Sequence, residues 1–178
     1  MKEKLYCVFN ISSINIEESQ IVSFQKIEKE ESSFRVYKDG IVGIHYQQGK
    51  ISDEEGYKRA EENLKLNRPY PFELEVGVRH RDKLEKTYTD KETLAMAKKC
   101  VSYLKKNYPQ FIFKGSFNKI EQLDSIKNEK GMDYSSKDGN VNVWFSFKHV
   151  DSKDISDGYL GLSLRKFNLK KFKDMADS

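Results

Sequence analysis

Between Phe111 and Leu164, apolar and polar residues alternate, and the alternation restarts after each of several short stretches that contain glycine. A period of two places alternate side chains on opposite faces, so a chain patterned this way is committed to strands with one buried face. The breaks are Asn128-Glu129-Lys130-Gly131 and Lys137-Asp138-Gly139-Asn140, which precede Val141-Asn142-Val143-Trp144-Phe145-Ser146-Phe147. Runs of this kind separated by glycine-bearing turns predict antiparallel strands joined by hairpins. Val141, Val143, Phe145 and Phe147 share the face expected to meet the core, and Trp144 falls on the other face.

The N-terminal part carries the same signal. Strands are expected from Leu5 to Ile11, from Glu17 to Lys29, from Ser33 to Tyr37 and from Ile41 to Tyr46. Asp39-Gly40 between the last two suits a type I′ turn, which needs positive φ at both central residues. Gly43 inside the returning strand predicts a bulge or a close backbone approach. Ser52-Asp53-Glu54-Glu55 and Thr89-Asp90-Lys91-Glu92 are capping-box sequences, each opening a helix. The first helix carries Tyr57, Ala60 and Leu64 on one face and ends before Pro69. The second runs from Asp90 to about Asn107 with Leu94, Ala97, Val101 and Leu104 on one stripe and Met96, Cys100 and Tyr103 beside it. A strand from Leu74 to His80 lies between them. Asn168 is placed to cap a short final helix. The expected fold is α+β: antiparallel sheet, two main helices packed on it and a short C-terminal helix. Residues 1–110 read as an α+β domain and residues 111–178 as the meander, unless the two form one continuous domain.

The chemistry of common sites is missing. His45, His80 and His149 are isolated, and Cys7 and Cys100 are far apart, so neither a metal-ligand spacing nor a disulfide framework is present. Cys7 and Cys100 read as small buried hydrophobes. His80-Arg81-Asp82 has the order of a kinase catalytic loop, but Thr87 stands where that loop needs Asn, and no Gly-rich phosphate loop precedes it. No catalytic, cofactor-binding or metal-binding residue is therefore assigned. The net charge of +4 comes from 32 basic and 28 acidic residues interleaved along the chain, which argues against nucleic-acid binding. Arg165, Lys166, Lys170, Lys171 and Lys173 form one basic cluster, read as the solvated face of the last helix. No apolar run approaches the ~20 residues of a membrane span, and the charged N-terminus leads into a strand, so a cytoplasmic protein is expected.

The order of motifs resembles one family. Arg35-Val36-Tyr37-Lys38-Asp39-Gly40-Ile41-Val42-Gly43, then the capped helix at Ser52, resemble the N-terminal domain of the TldD/PmbA family. Asn128-Glu129-Lys130-Gly131 is similar to that family's Asn-Ser-x-Gly turn, with a different middle pair. The stretch from Gly158 to Asn168, followed by a helix, is similar to the family's passage into its central region. The resemblance implies peptide processing, and the family has also been named as modulators of DNA gyrase. TldD-like members are zinc peptidases with a His-Glu-x-x-x-His motif and a distal Cys, and PmbA-like members pair with a TldD-like partner. This chain contains neither that motif nor the family's C-terminal domain, so no catalytic residue carries across, and zinc belongs to the full-length family context. The resemblance implies part of a longer chain, a short member, or a PmbA-like half. The implied role is non-catalytic: dimerisation with a like or homologous subunit, and a wall for an extended peptide. A stand-alone protein-interaction module is the alternative, followed by a nucleic-acid binder.

Overall fold

The strand pattern of the sequence becomes seven strands and three α-helices in the computed structural model, which describes residues 1–178. They are β1 (Lys2–Glu17), β2 (Gln20–Lys38), β3 (Ile41–Gln48), α1 (Asp53–Glu62), β4 (Gly77–Asp82), α2 (Asp90–Asn107), β5 (Phe111–Asn128), β6 (Met132–His149), β7 (Gly158–Leu164) and α3 (Leu169–Ala176). A 3₁₀ turn, Asn63–Leu66, continues α1. Hydrogen bonding runs in the order β3-β2-β1-β5-β6-β4, with β7 also on β6. The α+β expectation is met.

Three local expectations need correction. First, the sheet is antiparallel except at β4, which pairs parallel with β6 from Gly77↔Met132 to Asp82↔Lys137. Parallel neighbours need a long crossover, and residues 83–131 supply it. The strand expected from Leu74 starts at Gly77 instead, while Leu74 is buried in the segment before it. Second, β2 is one strand where two were expected. Its charged middle, Glu28 to Glu31, stays extended because backbone pairing outweighs the weak strand preference of such residues. Third, β6 runs straight through the expected turn at Lys137–Asn140. Gly139 lies inside the strand, and a Cβ there would meet Leu84 Cδ1 at 2.3 Å. Gly139 thus sits against Leu84 within the strand, and of the two glycines expected in turns of this segment only Gly131 (φ +95°) turns the chain.

The turns that do form follow φ. Asp39 and Gly40 both have positive φ, 50° and 75°, as a type I′ hairpin requires. Glu18 and Ser19 adopt the same region, 47° and 59°, and join β1 to β2 without any glycine.

The chain forms two compact units. Met1–Phe9, Glu28–Lys83 and Gln122–Asp138 make the first, and Asn10–Ile27, Leu84–Glu121 and Gly139–Ser178 the second. In the first unit α1 packs on β3. A Cβ on Gly43 would lie 2.0 Å from the Ala60 carbonyl oxygen, so Gly43 is where helix and strand touch. Phe34, Val36 and Ala60 are buried together, with Tyr57 edge-on to Phe34 at 5.2 Å. The alternate face of the same strands buries Tyr37, Val42 and Leu74. Ser52 accepts from the Glu55 N–H at 3.2 Å, but the Glu55 carboxylate turns to Arg59 Nε at 2.7 Å, so only half of that capping box forms.

In the second unit α2 and α3 cover one face of the strands. Ala97, Cys100, Val101 and Leu104 meet Ile14, Ile16, Phe113, Phe117, Val141, Val143 and Phe145, and Phe172 of α3 joins them. The stripe expected on α2 and the core face expected on β6 are both observed. The α2 capping box is complete, with Thr89 N–H donating to Glu92 Oε2 at 2.8 Å and Glu92 N–H to Thr89 Oγ1 at 3.2 Å. Asn168 caps α3 by accepting from the N–H groups of Lys170 and Lys171. Trp144 is on the opposite face, 45% exposed and stacked on Tyr159 at 5.8 Å. No helix is long and apolar enough to cross a membrane.

Candidate functional site

The thiols are held in their inert form. Cys7, half-buried on β1, donates to Asp124 Oδ1 of β5 at 2.8 Å. Burial, then that hydrogen bond, pushes its thiol up to about 12, so the thiolate needed for nucleophilic attack is scarce at neutral pH. Cys100 is fully buried among apolar side chains, and burial alone raises its thiol to about 12.

The three histidines are dispersed. His45 stands opposite Phe34 in the β2–β3 register, with Nε2 buried and lacking a hydrogen-bond partner. His80 on β4 pairs through Nδ1 with Ser135 Oγ at 2.8 Å. His149 packs edge-on to Phe111 at 5.5 Å, and its Nδ1 accepts from the Asp151 N–H. No three His, Cys, Asp or Glu side chains converge as ligands for a metal ion.

The basic cluster of the C-terminal segment is divided by the helix. Lys173 alone of its five members lines a groove of about 630 Å³, where it joins Lys98, Lys99 and Lys106 of α2. Lys170 instead pairs with Asp174 Oδ2 at 2.8 Å on its own helix. Nearby, Tyr103 and Tyr108 both donate to Asp177, whose carboxyl they hold below the usual carboxylate range.

What the first unit does offer is an open strand. All six residues of β4 are exposed, and β4 is the last strand in the order, bonded only to β6. The Gly77 N–H donates to the Gly131 carbonyl and the Lys83 N–H to that of Lys137. In parallel pairing the bonded residues alternate, so the odd-numbered residues face β6 and the backbone of Val78 and His80 faces away. The opposite terminal strand, β3, is partly closed, since the Val42 N–H donates to the Arg68 carbonyl and Ile41 bridges Pro69. A backbone edge recognises another extended chain through its peptide groups, whatever the side chains. Sequence reasoning located this strand within three residues. Its parallel pairing and its terminal position carry no local signal.

No family model matches the chain, and no curated protein matches it. Solved structures do. The chain is similar to a candidate modulator of a DNA gyrase from Thermotoga maritima, with a TM-score of 0.73, 20% identity, and coverage of 98% of this chain and 42% of that one. It is similar to TldE from Thermococcus kodakarensis at a TM-score of 0.72 and 15% identity, over 99% of this chain and 42% of that one. A candidate modulator of DNA gyrase from Bacteroides thetaiotaomicron gives 0.67 and 11% identity, over 97% of this chain and 44% of that one. At these identities the likeness shows the fold. The chain spans about two-fifths of the length of the structures it matches.

Proposed function

We propose that this chain is the framework module of a TldD/PmbA-like peptide-processing protein, in which β4 holds an extended peptide by backbone pairing. The reading is supported by the shared fold with TldE and the two gyrase-modulator candidates, together with the motif order around Arg35–Gly43 and Asn128–Gly131. The observation that carries it is the exposed β4 edge, where Val78 and His80 turn their peptide groups outward. The module works as a wall and an anchor. It associates with a like or homologous subunit in the cytoplasm, and peptide cleavage belongs to residues outside this chain. The His, Cys, Asp and Glu residues present do not fit a zinc site, since no three converge, and the proposed role involves no step at a metal.

The test is amide hydrogen exchange on the chain with and without an uncharged, end-blocked octapeptide of alternating Val and Thr. Saturating peptide is expected to protect the amides of Val78 and His80 selectively. Val78→Pro, which removes an outward donor, should abolish that protection. Unchanged exchange at both amides would sink the proposal.

A further inference from the structure

The first unit contains a cavity of about 370 Å³, within the size range of small-ligand sites. Tyr6, Tyr46 and Tyr134 line it together with the carboxylates of Glu31 and Asp124 and the thiol of Cys7. No lysine, arginine or histidine is part of the lining. Asp124 is half-buried, and the hydrogen bonds it accepts come from neutral groups, Cys7 Sγ at 2.8 Å and Gln122 Nε2 at 2.9 and 3.0 Å. Its charge is thus oriented by dipoles and left without a counter-ion of its own. Glu31 does have one, Lys29 Nζ at 2.6 Å, from outside the lining. Arg35, two residues past Ser33 on the same strand, is engaged by Glu3 at 3.3 Å. Burial and the nearby Glu30 and Glu28 raise the Tyr6 phenol, while the Tyr6 ring already carries the Lys4 ammonium, whose Nζ lies 5.3 Å from its centroid.

Carboxylates held among aromatic faces attract organic cations by two additive routes, charge pairing and the ring quadrupole. We propose that this cavity binds an alkylammonium group, with Asp124 and Glu31 taking the charge and Tyr46 and Tyr134 taking the carbon stem. Two sources share that chemistry: a free diamine and the lysine side chain of a peptide. The proposal does not use β4, and because the octapeptide that probes β4 is uncharged, either reading can fail without the other.

The experiment titrates the isotope-labelled chain with 1,5-diaminopentane and with an end-blocked Gly-Lys-Gly tripeptide, following the amides of Cys7, Glu31, Asp124 and Ile126 by NMR. Pentanol and glutarate are the neutral and anionic controls. Both amines are expected to move these signals saturably, and the controls are not. Asp124→Asn should weaken amine binding about tenfold, and Glu31→Gln less, since Lys29 already offsets that charge. Tighter binding of the tripeptide would assign the site to a peptide side chain, and tighter binding of the diamine to a free amine. Should Asp124→Asn lose its thermal transition, Tyr134→Leu, which keeps both charges, is expected to weaken binding severalfold while leaving its loss at high salt intact. The proposal is overturned by absent saturation, by pentanol acting as well as the amines, or by undiminished amine binding in every folded variant.

Discussion

Gly43 shows how much one atom decides in this protein. The sequence marks it as a strand glycine, and the structure explains it, because a Cβ there would sit 2.0 Å from the Ala60 carbonyl oxygen and 2.9 Å from the Leu64 nitrogen. Both are backbone atoms, so the helix itself would have to move. Gly40 differs: its φ is +75° and nothing lies within 4 Å of its missing Cβ. Gly43→Ala is therefore expected to cost about 3 kcal/mol through overpacking, and Gly40→Ala about 1 kcal/mol through backbone strain. Urea unfolding of the two variants checks the order, and equal losses would contradict it. Residue type alone announced both glycines, but it could not say which was held by conformation and which by contact. The same limit hid Asp124, since its contact with Cys7 spans 117 positions of sequence.

Helices were the most legible elements. The limits of α2, its capping box and its buried stripe all follow from local pattern, because capping and amphipathicity are set within one or two turns. The capping box also titrates. The Thr89 backbone N–H, then its hydroxyl, hold the Glu92 carboxyl below its ordinary value. A carboxyl lowered in the folded state adds stability above its unfolded value of about 4.3, and that stability is lost as pH falls through the folded value. Glu92→Gln should therefore be less stable than the natural chain at pH 7, with the gap closing as the pH drops below about 4. A gap independent of pH would rule out this origin. Thr89→Ala, which removes the other half of the box, is expected to cost about 1 kcal/mol at pH 7. Strands were harder to bound than helices. β2 and β6 run through charged or glycine-bearing stretches that locally read as interruptions, because a strand's hydrogen bonds come from its neighbours rather than from itself.

At the scale of the molecule, the larger buried cluster belongs to the second unit, where Phe117, Phe145 and Phe172 are wholly inaccessible. Phe117→Ala is expected to cost about 3–5 kcal/mol. Native-state hydrogen exchange should be slowest at the β5 and β6 amides around Phe117 and Phe145, and fastest at Val78 and His80 of β4. Core-like protection of β4 in the free chain would contradict the open edge. The alternation from Phe111 to Leu164, the Asp39-Gly40 turn and the two capped helices determined, without any structure, that this is an α+β chain with a sheet and helices. Side-chain periodicity and turn chemistry act over a few residues, so they are written locally. Only the tertiary structure decided that β4 joins parallel at the end of the order, that Trp144 stays open to solvent, and that Cys7, Glu31 and Asp124 share one cavity. Those arrangements depend on which distant strands pair, and backbone pairing carries no record of its partner in the local sequence.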